Sequence, residues 1–139
     1  MTIQKEKFRE LVFQILYSFH FSEDEEKGII KLLMMQLKIS KKNVMDARKK
    51  AFAIFQKRDE MDQKVKEHCQ SYEFSRIGSV EKNILRLSLY ELLHDDEIPP
   101  KVAIAESIRL CRKFSTPESA KFVNAILDIF YEKAHISDE

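Results

Sequence analysis

Apolar residues recur at Phe8, Leu11, Val12, Ile15, Leu16 and Phe19. This spacing of three and four is that of a helix burying one face. Thr2 is placed to cap it, and Lys5, Lys7 and Arg9 occupy its first turns. Cations there oppose the helix dipole, which favours acids near the N-terminus. Ser22 followed by Glu25 is a capping box opening a second helix through about Leu37. Ser40 caps a third, from about Lys41 to Arg58, with Val44, Ala47, Ala51, Ile54 and Phe55 inward. Asp59 or Asp62 is placed to cap a short fourth helix ending near Tyr72, and a loop follows around Arg76–Gly78.

Ser79 is the expected cap of the fifth helix, with Glu81 well placed in its first turn. Ile84, Leu85, Leu89, Leu92 and Leu93 leave little of this helix polar, so it should be central. It stops before Pro99-Pro100, which cannot continue a helix but can start one. Val102, Ala105, Ile108 and Cys111 set the expected inner face of the sixth. Thr116-Pro117-Glu118 is a strong start for the seventh. That helix turns Phe122, Val123, Ile126, Ile129 and Phe130 inward and frays after Lys133. The pattern predicts an all-α protein of about seven helices without a strand. The Gly78 loop divides it into two small helical bundles, about 1–75 and 76–139, of one domain.

Composition narrows the classes further. Two glycines and three prolines in 139 residues are too few for the turns of a sandwich, a barrel or a doubly wound sheet. Gly28 and Gly78 stand fifty residues apart, which excludes a glycine-rich phosphate loop. With 44% hydrophobic and 34% charged residues the chain can bury a core and is not globally disordered. The net charge of +1 is unevenly spread. Residues 1–70 hold 15 Lys and Arg against 11 Asp and Glu, whereas residues 71–139 hold 9 against 12. One end can therefore face an anionic polymer. Cys69 and Cys111 form no CxxC pair and read as reduced, buried thiols of a cytosolic protein. The N-terminal residues lack the apolar stretch of a secretory leader. No apolar run reaches the roughly 18 residues of a membrane span.

Motifs for catalysis and metal binding are not found. His20, His68, His94 and His135 are scattered, with no second ligand at metal-site spacing. His68 and Cys69 are neighbours and so point to different helix faces. No GxSxG, HExxH or Walker string occurs. No enzyme, cofactor or metal is expected, and surfaces remain. Lys5, Arg9 and Phe13 fall close to one line on the first helix. Cations beside rings suit single-stranded RNA, where cations hold phosphates and rings stack on bases. A second basic stretch is Lys38, Lys41, Lys42, Arg48, Lys49 and Lys50 against Asp46, which a solvated helix face explains better than a binding patch.

Several strings then resemble a known family. Ser79-Val80-Glu81-Lys82, Ile84-Leu85-Arg86-Leu87 and Tyr90-Glu91-Leu92-Leu93 look like the central helix of the NusB transcription antitermination family. Ile98-Pro99-Pro100-Lys101-Val102-Ala103 through Ile108 follows at matching spacing. So does the stretch from Phe114-Ser115-Thr116-Pro117 through Phe122-Val123-Asn124-Ala125 to Asp128. Gln14-Ile15-Leu16-Tyr17 resembles the first-helix signature, whereas residues 22–75 match only in helical pattern. The resemblance implies a NusB-like fold of two three-helix bundles with an extra helix. It implies binding of the boxA element of nascent ribosomal RNA, jointly with the small ribosomal protein NusE, within an RNA polymerase antitermination complex. The family's RNA contacts would fall on Lys5, Lys7, Arg9, Tyr17 and Phe122, and its RNA and NusE surface on Glu81. Family members often carry a run of arginines in the first segment. Lys5-Glu6-Lys7-Phe8-Arg9 has one arginine and an intervening acid. Lysine holds phosphate as a point charge without the bidentate fork, so the alternative is a protein-binding helical adaptor with weak or lost RNA affinity. The oligomeric state stays open, a homodimer included.

Overall fold

The computed structural model describes residues 3–68 and 74–137. Among these, seven α-helices occur and no strand: α1 (Lys5–Ser18), α2 (Glu23–Leu37), α3 (Lys41–Gln56), α4 (Arg58–His68), α5 (Ser79–His94), α6 (Pro100–Phe114) and α7 (Pro117–Ser137). A 3-10 turn, Phe74–Arg76, precedes α5.

Most helix starts follow local chemistry. Ser22 Oγ accepts from the Glu25 amide at 3.3 Å, and Ser40 Oγ from the Asn43 amide at 3.2 Å. Thr116 Oγ1 accepts from the Ser119 amide at 3.1 Å, and Pro117 opens α7. Pro100 opens α6 because the first helical position needs no N–H and suits its fixed φ. Four expectations shift. Thr2 lies outside the described residues, and Gln4 in extended conformation precedes α1 without a side-chain cap. Gly78, not Ser79, is the cap residue of α5. Asp59 and Asp62 fall inside α4, which begins directly after Lys57. The last helix continues to Ser137 rather than ending after Lys133. Lys38 ends α2 at φ 51°, a left-handed position that more commonly takes glycine.

The chain forms two compact units, Met1–Lys57 and Arg58–Glu139. The boundary lies at the α3–α4 junction rather than at the Gly78 loop, which places α4 in the second unit. The physical reason is packing across sequence distance: α4 packs against α5, and Asp62 pairs with Arg86. In the first unit α1 packs against α2 and α3. Leu11, Val12, Ile15 and Leu16 are fully buried, as the spacing predicts. Arg9, Phe13 and Ser18 are buried too, so α1 is covered around most of its circumference. Val44, Ala47, Ala51 and Ile54 form the buried face of α3.

In the second unit α5 touches α4, α6 and α7, as expected of a central helix, but it buries Asn83, Arg86, Ser88 and Glu91 beside its apolar residues and leaves Leu93 exposed. Ile84, Leu85, Leu87 and Leu89 are at most 1% exposed. The inner face of α6 is Ala103, Ser107, Leu110 and Cys111. The expected Val102 and Ala105 are exposed instead, while Ile108 is half-buried. Ser107 hides this stripe from a hydrophobic reading. Its hydroxyl donates to the Ile104 carbonyl at 2.6 Å, so the polar group can be buried. On α7, Ala120, Val123, Ile126, Leu127 and Phe130 are buried, whereas Phe122 and Ile129 are half-buried.

Candidate nucleic-acid interface

The basic start of α1 is split by the fold. Lys5 and Lys7 stand in solvent. Arg9 is only 6% exposed and Phe13 only 3%. The proposed line of Lys5, Arg9 and Phe13 therefore does not present two cations and a ring to solvent together. The helix is covered on several sides, and Arg9 and Phe13 both fall on its covered surface.

Tyr17 is half-buried in the last turn of α1. Its ring centroid lies 6.3 Å from that of Phe13, 6.1 Å from His20 and 5.7 Å, edge-on, from Phe21. His20 is exposed and Phe21 is 43% exposed. A group of rings thus reaches the surface after α1, in which His20 and Phe21 join Tyr17. His20 and Phe21 follow the end of α1, where the Tyr17 and Ser18 carbonyls accept from their amides, so the turn and not a helical spacing brings the rings together.

The Lys38–Lys50 stretch is partly engaged within its own unit. Arg48 Nε donates to Glu26 Oε1 at 3.0 Å, and its guanidinium lies 5.6 Å from the Phe19 ring centroid. Lys38, Lys41, Lys42 and Lys49 are exposed, and Lys50 is half-buried.

In the second unit Glu81 is a connector. One carboxylate oxygen accepts from the hydroxyls of Ser115 and of Ser119, the latter at 2.8 Å. It thereby ties the first turn of α5 to the residue after α6 and to the first turn of α7. Gly78 makes room for this arrangement, since a Cβ there would come within 2.5 Å of the other Glu81 oxygen. Burial pushes the Glu81 carboxyl up, but the two hydroxyls and its own backbone amide outweigh it, and the group sits below its ordinary value. The Cys111 thiol is pushed up to about 12 by burial and by the negative charge of Glu81. It is a free, inert thiol. Cys69 lies outside the described residues. Phe122 is half-buried on α7, three residues beyond Ser119, beside the exposed Lys121.

A second cation–aromatic group was not legible in the sequence. Lys66 Nζ and Lys82 Nζ lie 5.0 Å and 4.8 Å from the Phe74 ring centroid. They come from α4 and α5, so only the fold brings them together. Among the described residues no group of three or more His, Cys, Asp or Glu is placed to hold a metal ion. No helix of these residues is long and apolar enough to cross a membrane.

Comparison with known proteins places this arrangement. The NusB family model matches residues 6–132. The chain belongs to the NusB family. It is 36% identical to the transcription antitermination protein NusB of Chlamydia pneumoniae over 94% of this chain and 82% of that one. It is 31% identical to the transcription antitermination protein NusB of Chloroherpeton thalassium over 96% of this chain, and spans 64% of that protein's length. The structure of T. maritima NusB is 32% identical and superposes with a TM-score of 0.76, covering 92% of this chain and 90% of that one. A crystal structure of the antitermination factors NusB and NusE with double-stranded RNA shares the fold. Its matching chain is 24% identical, with a TM-score of 0.74 over 93% of this chain and 96% of that one. The NusB match begins one residue after Lys5 and takes in Lys7, Arg9, Tyr17, Glu81 and Phe122.

Proposed function

We propose that this chain is an antitermination factor that binds the boxA element of nascent ribosomal RNA together with NusE, and so joins the antitermination complex of RNA polymerase. The observation that carries this reading is the NusB match over residues 6–132, with Tyr17 and Phe122 each half-buried and so offering ring surface. Lys5 and Lys7 supply phosphate contacts, Tyr17 and Phe122 stack on bases, and Glu81 orders the α6–α7 turn beside the RNA and NusE surface. The reading is of a non-enzymatic protein acting in the cytoplasm without a cofactor. The relatives named as antitermination proteins support it.

One feature favours a weaker intrinsic affinity. Arg9 is buried, so the first segment presents two exposed lysines and no exposed arginine. Lysine lacks the bidentate fork, and NusE then has to supply much of the hold on RNA.

A titration of labelled boxA RNA with and without NusE tests the reading. Binding that tightens markedly with NusE, and that a scrambled single strand or a duplex of the same length does not reproduce, supports it. NusE binding with no RNA affinity in either arm leaves the protein-binding adaptor as the correct description.

A further inference from the structure

Met45 and Phe52 stand seven residues apart on α3 and are 51% and 44% exposed. Seven residues are about two turns, so the two side chains share one line about 10.5 Å long. At about 100° per residue, Lys41 falls on one side of this line, and Lys42 and Lys49 on the other. All three lysines are exposed, and none makes an ion pair among the described residues. Their charges alone fit a solvated helix face. A methionine and a phenylalanine exposed between them do not, and only the fold shows that they are exposed.

The lysines do not serve the fold of α3. Its first turn holds no acid, and Lys41 and Lys42 there oppose the helix dipole. The face that α3 buries is another one: Val44, Ala47, Ala51 and Ile54. The Phe52 ring is held from behind. Phe19 meets it at a steep angle with 6.3 Å between centroids, and Arg48 lies over Phe19 while donating to Glu26. An apolar anchor fixed in advance loses little freedom on binding. Met45 is unbranched and adapts to the shape of a partner side chain. Single-stranded RNA fits this stripe less well. Bases stack on flat groups, and the stripe offers one ring, which Phe19 already contacts.

We propose that this face of α3 binds an acidic amphipathic helix of a protein partner. The partner's apolar stripe lies along Met45 and Phe52. Asp and Glu residues on both flanks of that stripe meet Lys41, Lys42 and Lys49. The surface uses none of the residues assigned to RNA and does not rest on that reading.

Fluorescence anisotropy on the full chain tests this. The probe is a labelled synthetic peptide of about 18 residues, long enough to form a helix in isolation, with leucines on one face and glutamates on both flanks. Saturable binding is expected. A peptide of the same composition with its leucines scattered around the helix should bind at least about tenfold more weakly. Lys42→Glu combined with Lys49→Glu should weaken binding at least about tenfold, because like charges then face each other. Met45→Glu should do the same. Lys42→Glu also places an acid in the first turn of α3, so its melting temperature should hold or rise. That separates lost binding from lost folding. The double variant should in turn bind a peptide whose glutamates are replaced by lysines. Lys101→Glu, exposed on α6, should leave binding of the acidic peptide unchanged. Absence of binding, or equal binding of the scattered peptide, overturns the proposal. So does binding that the α3 variants leave undisturbed. A polyuridine strand that displaces the peptide and loses its own affinity in the same variants would give this face to RNA, and overturns the proposal as well.

Discussion

Arg86 on α5 grips Asp62 on α4 through two parallel hydrogen bonds, Nε to Oδ1 at 2.8 Å and Nη2 to Oδ2 at 2.7 Å. The two side chains are 9% and 14% exposed. The third guanidinium nitrogen donates to Asn83 Oδ1 at 3.3 Å, and Asn83 Nδ2 donates to the Ser79 carbonyl at 2.8 Å. Removing one partner of such a pair strands a charge in a largely dry site. Asp62→Ala should therefore cost about 3–5 kcal/mol in urea unfolding, whereas Asp62→Leu with Arg86→Met should recover most of the loss. A single variant as stable as the parent chain would show that α4 is not held to α5 by this pair.

Glu81 predicts a pH dependence with a definite sign. The fold holds its carboxyl below the ordinary value of 4.5. Its contribution to stability is complete above that value and is lost as the pH falls through the lower folded-state value. Glu81→Gln should cost about 1–3 kcal/mol at neutral pH, because the hydroxyls of Ser115 and Ser119 lose a charged acceptor. The same variant should flatten the acid limb of the stability curve. Chemical denaturation between pH 3 and pH 7 (about one and a half units below and two and a half above the ordinary value) reads both effects.

The three cations of the first segment should separate into two behaviours. Lys5→Ala and Lys7→Ala should each lower the slope of log affinity against log salt by about 0.7, the value for one phosphate contact on a single strand. Arg9→Ala should leave the slope nearly unchanged and lower the melting temperature, since its side chain is buried. A slope change in the Arg9 variant equal to that in the lysine variants, with an unchanged melt, would return Arg9 to the phosphate site.

Phe122 is half-buried and can divide its surface between packing and RNA. Phe122→Ala should weaken RNA binding by about 1–3 kcal/mol if a base stacks on the ring. Its folding cost should stay below the about 3–5 kcal/mol of a fully buried phenylalanine. Leu85→Ala, at a position 1% exposed, should cost about 2–5 kcal/mol of folding with RNA affinity intact in the folded fraction. Measuring melts and affinities on both variants separates a ring that binds from a residue that only fills the core.

The amino-acid sequence by itself determined the elements and much of the family resemblance. Ser22, Ser40, Pro100 and Thr116-Pro117 mark helix starts through contacts within one turn, so they are legible without the rest of the chain. The isoleucine and leucines of α5 likewise pointed to a central helix, although the fold also buries its polar Asn83, Arg86, Ser88 and Glu91 and leaves Leu93 39% exposed. Tertiary structure decided what depends on partners tens of residues away. It buried Arg9 and Phe13 on a helix covered on several sides, and it turned α6 onto a face containing Ser107, whose hydroxyl is satisfied by the backbone. It moved the boundary between units from Gly78 to Lys57 by pairing Asp62 with Arg86. It also gathered Lys66, Phe74 and Lys82, and made Glu81 the acceptor for Ser115 after α6 and Ser119 in the first turn of α7. Periodicity reports which residues of a helix share a face. What covers that face, and whether a polar residue on it finds a partner, depends on contacts between segments far apart in the chain.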